Sequence, residues 1–384
     1  MVATGHQIPG RTTINRTPDV YRYRMDLAFL RPLYESGGPV ASACLDTTRD
    51  TPDAEKMIEL RWRALREDLA RQGADAATLD AMESVAGGVR GIGGPQGEAV
   101  FAADGEVLAV HTMARPPVRD RASWLPVPDP FDLVLDRGRL LPYVVAAVDR
   151  EGADVFAYDV AVPDPATARF FNGGSLHVHK VRGGGMASSH YQRHSENVWE
   201  KNAEQVAQDV ARAVRDVGAA VVFVGGDQRA IGLLRAHLDA LEPPVVELPG
   251  GRADHDAAGA LRESVDAALE DVTAGGREDV IDDFHDRISQ GTAVDDAPGT
   301  LRALTDGRVE TLLLGADRGG EPWLYGSPDE PRALATVASA LPAADGALHA
   351  PATPLMLRSA VLGDAGFSEL TGGAGTAATL RFAL

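Results

Sequence analysis

The spacing of apolar and polar residues predicts a strand, a helix and a hairpin in the first third of the chain. Residues 39–47 (PVASACLDT) form a β-rich run, and residues 54–72 repeat apolar side chains at helical spacing. Residues 98–113 form two β-rich runs around an Asp-Gly pair, which suits a tight turn because glycine tolerates positive φ. Proline removes backbone donors and fixes φ, so we expect residues 115–130 to form a loop or linker.

The middle of the chain has the order hairpin, helix, strand and helix. Residues 141–162 predict a hairpin, and residues 196–217 carry a long helical pattern. Residues 219–225 (AAVVFVG) are a continuous apolar run, which is typical of a strand buried in a parallel sheet. A helix is expected over residues 228–241. This order is typical of an α/β domain.

The last third of the chain predicts one more α/β unit. Helices are expected over residues 278–290, 299–306 and 329–340, and strands over residues 309–314 and 377–384. The element order therefore predicts an α/β protein of three domains: an N-terminal, a middle and a C-terminal domain over residues 1–138, 139–275 and 276–384.

Length and composition agree with several packed domains. A chain of 384 residues, 44% of them hydrophobic, is long enough for two or three cores. Cys44 is the only cysteine, which excludes a disulfide or a thiolate zinc site within one chain. The sequence contains no apolar run of about 18 residues and no signal peptide, so we expect a cytoplasmic, monomeric protein that does not enter a membrane.

The charge balance restricts how the chain can bind nucleic acid. A formal net charge of −19 argues against non-specific coating of nucleic acid, which requires clustered cations. RNA binding must then rest on local patches. One is the N-terminal set Arg11, Arg16, Arg22 and Arg24 with Tyr21 and Tyr23, which suits either RNA stacking or a disordered tail. A second small patch consists of Arg115, Arg119 and Arg121, and the same two interpretations apply to it.

One segment of the chain lacks acidic residues altogether. Residues 177–194 (HVHKVRGGGMASSHYQRH), here called the acid-free segment, contain Lys180, Arg182, Arg193 and four histidines. Three consecutive glycines pack poorly in a helix or strand, so Gly183 to Gly185 are expected to form an exposed tip with bare backbone amides. The alternative is a long surface loop whose charges serve only solubility.

The acid-free segment and the helix after it resemble the class 1 release factors of archaea and eukaryotes, and with them the Pelota superfamily. Those proteins carry an Arg-Gly-Gly-Gln tip, then Ser/Ala, then Arg-Phe-x-Arg and a long helix. The corresponding residues here are Arg182 to Met186 (RGGGM), Ala187-Ser188, His190 to Arg193 (HYQR) and the helix over 196–217. The segments similar to the superfamily's C-terminal domain are residues 282–289, 301–315 and 372–382.

This resemblance implies a ribonuclease H-like middle domain with an exposed Gly-rich loop and a C-terminal α/β/α sandwich. Within the superfamily, the chain resembles the bacterial branch that includes Balon, a hibernation factor of idle ribosomes. It therefore implies the ribosome, through ribosomal RNA of the A site, as the partner. Elongation factor Tu or another translational GTPase is a further possible partner, and no cofactor or metal is implied.

The tip departs from the release factors at one position. Met186 stands where they carry glutamine. Its main-chain amide remains available to stabilise developing negative charge, but its thioether is only a weak acceptor. We therefore predict occupancy of the A site, with peptidyl-tRNA hydrolysis through the Met186 amide as the alternative. The residues expected to contact RNA are Lys180, Arg182, Gly183, Gly184, Gly185, Met186, His190, Tyr191 and Arg193.

Three other patterns are weaker. The histidines at 177, 179, 190 and 194 have spacings that suit a metal site, but contacts with phosphate or bases explain them better. Gly225-Gly226-Asp227 is half of a nucleotide-binding turn; an unliganded strand-to-helix turn is the better interpretation, and a small-molecule-binding stress protein is the corresponding alternative. Ser188 and Ser189 lack the surroundings of a nucleophile elbow.

Overall fold

The computed structural model describes residues 25–88, 94–149, 152–159, 167–172, 175–179, 197–239, 241–371 and 375–383. These residues alternate between strands and helices and contain four β-sheets. The predicted α/β class is therefore confirmed. No helix in these ranges is long and apolar enough to cross a membrane.

The first unit is one antiparallel sheet with helices on both faces. Its elements are β1 (Val40–Asp46), α1 (Ala54–Gln72), α2 (Ala76–Glu83), β2 (Gly97–Ala103), β3 (Glu106–Met113), β4 (Arg121–Leu125) and α3 (Phe131–Gly138). The strand order is β3-β2-β1-β4. The predicted hairpin is confirmed: Asp104 and Gly105 join β2 to β3, and both have positive φ, at 52° and 79°. Such a turn matches the twist of the two strands.

The predicted loop over residues 115–130 is wrong for residues 121–125. These residues form β4, which pairs antiparallel with β1 along the edge of the sheet. The prolines lie on either side of the strand and not within it, so every residue of β4 keeps its backbone donor. The proline content of residues 115–130 therefore predicted a loop and did not indicate this short strand.

The middle unit is a mixed sheet built from a hairpin pair and two crossover helices. Its elements are β5 (Tyr143–Val148), β6 (Gly152–Tyr158), β7 (Thr167–Asn172), β8 (Ser175–His179), α4 (Asn197–Val217), β9 (Val221–Gly226), α5 (Gln228–Leu238), β10 (Val245–Leu248) and α6 (His255–Ser289). The order is β10-β9-β5-β6-β7-β8, with β10, β9 and β5 parallel and the other neighbours antiparallel. This is the strand arrangement of ribonuclease H-like domains, as the resemblance implied.

Helix α6 runs from the middle unit into the last one. Leu261, Val265 and Val272 of its first half pack on the middle sheet, whereas Phe284 of its second half packs on Leu313 in the C-terminal unit. The boundary predicted between residues 275 and 276 lies within this single 35-residue helix. The three domain limits stay a prediction.

The last unit has helices on both faces of a four-stranded sheet. Its elements are β11 (Ala293–Val294), α7 (Ala297–Thr305), β12 (Val309–Gly315), β13 (Trp323–Gly326), β14 (Leu334–Ala335), β15 (Leu348–Pro351), α8 (Ala352–Leu362), β16 (Gly366–Leu370) and β17 (Thr376–Leu380). The main sheet has the order β11-β17-β12-β16, and β14-β13-β15 form a smaller sheet. Helix α6 covers one face of the main sheet, and α7 and α8 cover the other. The implied α/β/α sandwich is confirmed.

The helix predicted over residues 329–340 is wrong. These residues contain only the short strand β14 and a 3-10 turn at Ala338–Ala340. Pro331 lies inside the predicted span, and the guanidinium of the buried Arg358 binds the carbonyl oxygens of Ser327 and Pro328, at 2.8 Å each. These contacts hold the chain just before the predicted helix in a loop.

The N-terminal and C-terminal units share one apolar core. Phe131 of α3 meets Phe367 of β16 edge to face, with ring centroids 6.4 Å apart. Met25 also forms a backbone bridge with Phe367. Arg139 makes a two-point ion pair with Glu369, at 2.8 and 2.6 Å. Residues at opposite ends of the sequence therefore stabilise each other.

Candidate functional site

The glycine-rich tip is the connection between an edge strand and the longest crossover helix of the middle unit. Strand β8, at the edge of the sheet, ends at His179, and α4 begins at Asn197. All nine residues predicted to contact RNA lie between these two positions, at 180–193, and therefore outside the described residues. The same holds for the N-terminal arginines and tyrosines at residues 11–24.

Helix α4 is fixed to the middle unit by apolar packing. Val206, Val210 and Ala213 on its inner face are buried against Val155 of β6 and Leu234 of α5. Burial of several such side chains stabilises this contact by a few kcal/mol, at about 25 cal/mol per Å² of apolar surface. Residues 180–196 therefore connect β8 to a helix that is packed on the middle unit.

Only two of the four histidines in the sequence pattern lie within the described residues. The register partners of His177 and His179 on β7 are Phe170 and Ala168. His190 and His194 lie outside the described residues. Within the described ranges, no group of three or more His, Cys, Asp or Glu side chains could hold a metal ion.

The glycines at the carboxyl ends of the parallel strands are there for close backbone packing. A Cβ on Gly226, whose φ is 141°, would lie 1.7 Å from the carbonyl oxygen of Val148. A Cβ on Gly251 would lie 2.8 Å from Cα of Gly226. The carboxylate of Asp227 caps α5 by accepting hydrogen bonds from the amides of Arg229 and Ala230, both at 3.1 Å. This geometry favours a strand-to-helix turn over a nucleotide loop.

Replacing Gly226 by alanine is expected to lower the free energy of unfolding by at least about 2 kcal/mol, because the methyl group meets backbone and φ is positive. Gly232, inside α5, has open space around its Cα, so alanine there should raise stability by about 0.5–1 kcal/mol. Urea denaturation of the two single variants tests this. Equal stabilities of G226A and G232A would show that the turn is not constrained as described.

Two carboxylates at the end of β5 and in β6 resemble an acid–base pair but are held by an arginine. The guanidinium of Arg252 is buried and lies 3.2 Å from oxygens of both Asp149 and Asp154. Burial raises the pKa of Asp154, and the Arg252 charge opposes that rise. This cluster is not visible in the sequence, because Arg252 is about one hundred residues away from both aspartates along the chain. Its ion pairs support a structural role.

A groove with four arginines lies between the N-terminal and C-terminal units. It has a volume of about 440 Å³, and we call it the arginine groove. Its charged lining residues are Arg115, Arg119, Arg121, Arg139, Asp132, Asp136 and Asp317. The first three arginines are the patch singled out from the sequence. Arg139 was not, because Glu369, which positions it, is 230 residues away.

The loop that carries Arg115 and Arg119 is held from below by a buried carboxylate. Asp136 of α3 accepts hydrogen bonds from the amides of Ala114 and Arg115, at 2.9 and 3.1 Å. Burial raises the pKa of Asp136, and these two hydrogen bonds oppose that rise. Pro116 and Pro117 fix the backbone that follows. Arg115 and Arg119 are consequently displayed from a preorganised loop.

The middle of the chain matches a known family. Residues 142–290 match the family described as bacterial archaeo-eukaryotic release factor family 2. This part of the chain is therefore similar to the release-factor and Pelota superfamily. The match begins just before β5 and ends just after α6, so it contains the whole acid-free segment. It confirms the superfamily resemblance stated from the sequence; the likeness to Balon stays a prediction.

Similarity to another protein extends beyond residues 142–290 and covers most of the chain. The uncharacterized protein Rv2629 of Mycobacterium tuberculosis is 29% identical over 298 residues, which cover 74% of this chain and 77% of the relative. Among solved structures, archaeal aRF1 is 16% identical over 92% of this chain and 96% of that one, with a TM-score of 0.21. Dom34 of S. cerevisiae is 10% identical over 75% and 80%, with a TM-score of 0.37.

A ribosome-bound archaeal Pelota with ABCE1 is also similar. It is 13% identical over 94% of this chain and 96% of that chain, with a TM-score of 0.38. At such scores, no residue role is carried over from these structures. The similarity to the release-factor family therefore rests on the match over residues 142–290.

Proposed function

We propose that this protein binds the ribosome and occupies the A site when translation is idle or stalled. Residues 180–193 are directed at the peptidyl-transferase centre in this proposal, and they contact ribosomal RNA. Elongation factor Tu or another translational GTPase is the proposed additional partner. The observation that carries the proposal is the family match over residues 142–290, which contains the acid-free segment between β8 and α4.

The chemistry of the segment suits contact with RNA. Lys180, Arg182 and Arg193 are fixed positive charges within a segment, residues 177–194, that contains no acidic residue, and they can replace counterions along a phosphate backbone. Glycine carries no side chain that would keep its backbone away from a base or an ester. The tip can therefore approach RNA through its main chain, whatever the net charge of the remaining protein.

Met186 favours occupancy over turnover. Its side chain replaces the glutamine of release factors, and a thioether neither donates a hydrogen bond nor accepts one well. The alternative is a peptidyl-tRNA hydrolase in which the main-chain amide of Met186 stabilises the oxyanion. The retained glycines and that amide favour this alternative, so the two functions must be separated by measurement.

Reversing the charge of Lys180 and Arg182 is expected to weaken ribosome binding by at least about 100-fold, because two attractions to phosphate become repulsions. The measurement is co-sedimentation of K180E/R182E with idle ribosomes over a range of protein concentrations. K56E/R302E is the matched control, since it changes one lysine and one exposed arginine on other surfaces. Equal binding by both double variants would contradict the proposed placement.

Peptide release distinguishes occupancy from hydrolysis. Wild-type protein is added to ribosomes that carry labelled peptidyl-tRNA, at concentrations that saturate binding. The occupancy proposal expects no release above the rate without factor, and release at those concentrations would establish the hydrolase alternative. Absence of the wild-type protein from ribosomal fractions under starvation would contradict both and favour a small-molecule-binding α/β protein.

A further inference from the structure

We propose that the arginine groove is a second RNA-binding surface, which takes the phosphodiester backbone of ribosomal RNA between the N-terminal and C-terminal units. This inference rests on the proposed ribosome binding and adds a contact outside the middle domain. It uses residues that the family match over 142–290 does not include. Three features of the groove support it: arginines without a close ion pair, a rigid loop that carries them, and the shape of the groove.

Four acidic side chains in and beside the groove accept hydrogen bonds from a guanidinium or from backbone amides. Asp129 is bound by the guanidinium of Arg318, at 2.9 Å to each oxygen. Asp120 accepts a hydrogen bond from the amide of Asp46 at 2.8 Å. Asp317 accepts one from the amide of Gly319 at 2.8 Å. Arg318 balances the charge of Asp129. The carboxylates of Asp120, Asp136 and Asp317 keep their charge, but these hydrogen bonds fix their positions.

Two of the arginines are left without an ion pair. Arg121 lies 4.0 Å from Asp132, and Arg139 is paired with Glu369. Arg115 and Arg119 are exposed, and neither has a carboxylate within 4 Å among the described residues. A protein with a net charge of −19 thus presents two guanidinium groups without a close ion pair on one short loop. Phosphate oxygens are the acceptors that a guanidinium fork fits best.

The rigidity of this loop reduces the cost of binding. Gly97 of β2 lies so close beneath it that a Cβ there would be 2.9 Å from the carbonyl oxygen of Arg115. With the hydrogen bonds to Asp136 and the two prolines, this packing holds the loop before any partner arrives. Preorganised side chains lose less conformational entropy on binding, so more of the electrostatic attraction appears as affinity.

The shape of the groove suits a polymer. Arg119, Arg121 and Asp132 also line a second cavity of about 360 Å³ beside β1 and β4, which is lined as well by Asp68, Asp120, Asp129 and Arg318. In the other direction Arg115 and Arg139 border a space whose far side carries Asp266, Glu270 and Asp271 of α6. The acids of α6 repel phosphate, so the path from Arg115 toward Arg121, where Arg318 balances Asp129, is the more favourable one. Val118, which is 99% exposed, stands beside that path.

Removing these two guanidinium groups tests the inference. R115A/R119A is compared with R215A/R302A, which removes two exposed arginines from α4 and α7 and leaves the same net charge. We expect R115A/R119A to bind idle ribosomes about 10- to 100-fold more weakly than wild type at low salt. The slope of log affinity against log salt should become shallower by about 1.4–1.8, since two phosphate contacts are lost. The control pair should change neither quantity.

The failures of the two proposals are distinguishable. Wild-type protein that does not bind ribosomes would overturn the proposed function. Wild-type protein that binds, together with R115A/R119A of unchanged affinity and salt slope, would overturn only the groove. Equal losses in R115A/R119A and R215A/R302A would also overturn the groove, because the effect would then be general electrostatics.

Crosslinking identifies what occupies the groove. Val118 is replaced by photoreactive benzoylphenylalanine in the full chain, which is bound to ribosomes and irradiated. Crosslinks to ribosomal RNA are the expected result, and crosslinks only to a ribosomal protein would overturn the assignment of RNA. Displacement of the protein by free nucleotide at matched ionic strength would overturn it as well, since the groove would then be a small-anion site.

Discussion

Replacing Phe367 by alanine is expected to lower the free energy of unfolding by about 3–5 kcal/mol, the range for deleting a buried aromatic ring. Phe367 is 1% exposed, and its ring contacts Phe131 across the boundary between the two terminal units. Gly138 packs against the same ring, with a Cβ position 3.3 Å from it, so the surroundings are closely packed and the cavity cannot collapse easily. Urea denaturation at 25 °C measures the loss. V118A, at a fully exposed position, is the control and should leave stability unchanged.

The same substitution also tests whether the terminal units unfold together. Because one apolar core includes residues of both, F367A should speed amide hydrogen exchange in β1 of the N-terminal unit as well as in β12 of the C-terminal unit. Exchange is measured by mass spectrometry on peptides that cover residues 40–46 and 309–315. Faster exchange confined to residues 309–315 would show that the two units are independent.

Elements with a strong local pattern could be predicted from the sequence. Helix α1 has the predicted bounds, and Trp62, Leu65 and Leu69 of its apolar repeat are buried on one face, whereas Met57 and Leu60 are exposed. The β2–β3 hairpin follows from a turn whose chemistry is local. In both, the information lies within a few residues, which is where periodicity and turn preferences act.

Elements that depend on distant partners could not be predicted. Helix α8 is buried on all sides, from Ala352 to Val361, so it shows no amphipathic period that would separate it from a strand. The shared core of the terminal units joins residues such as Met25 and Phe367, more than three hundred positions apart. No pattern in either local sequence indicates that contact.

The candidate site shows the same division. The acid-free segment and the glycine tip are visible as composition, and the family match includes them, but the contacts of residues 180–193 stay a prediction. Arg115, Arg119 and Arg121 were visible as a small basic cluster. Whether these arginines can bind a ligand depends on which neighbouring carboxylates already have partners. Arg318, for example, binds Asp129 from a position 189 residues away. Pairing across the fold therefore decides which charges are free.

Replacing Arg318 by alanine is expected to lower the free energy of unfolding by about 3–5 kcal/mol, because two partly buried carboxylates lose their shared cation. The Arg318 side chain is 6% exposed; it binds Asp129 of the N-terminal unit at 2.9 Å and Glu321 of the C-terminal unit at 2.8 and 2.6 Å. Its guanidinium also lies 5.3 Å from the ring centroid of Phe131. Thermal and urea denaturation measure the loss, and R302A, at an exposed position on α7, should change stability by less than about 0.5 kcal/mol.

A variant without charges at Arg318, Asp129 and Glu321 separates the effect of charge on stability from the effect of packing. R318M/D129N/E321Q keeps similar volumes but removes all three charges, so no buried carboxylate is left uncompensated. If electrostatics cause the loss in R318A, the triple variant should be more stable than R318A, because a buried ion pair contributes little net stability and only its disruption is costly. A triple variant as unstable as R318A would instead assign the effect to hydrogen-bond geometry and to the stacking on Phe131. The same result would mean that the arginine positions the two terminal units, and with them the groove between them, through its shape and not its charge.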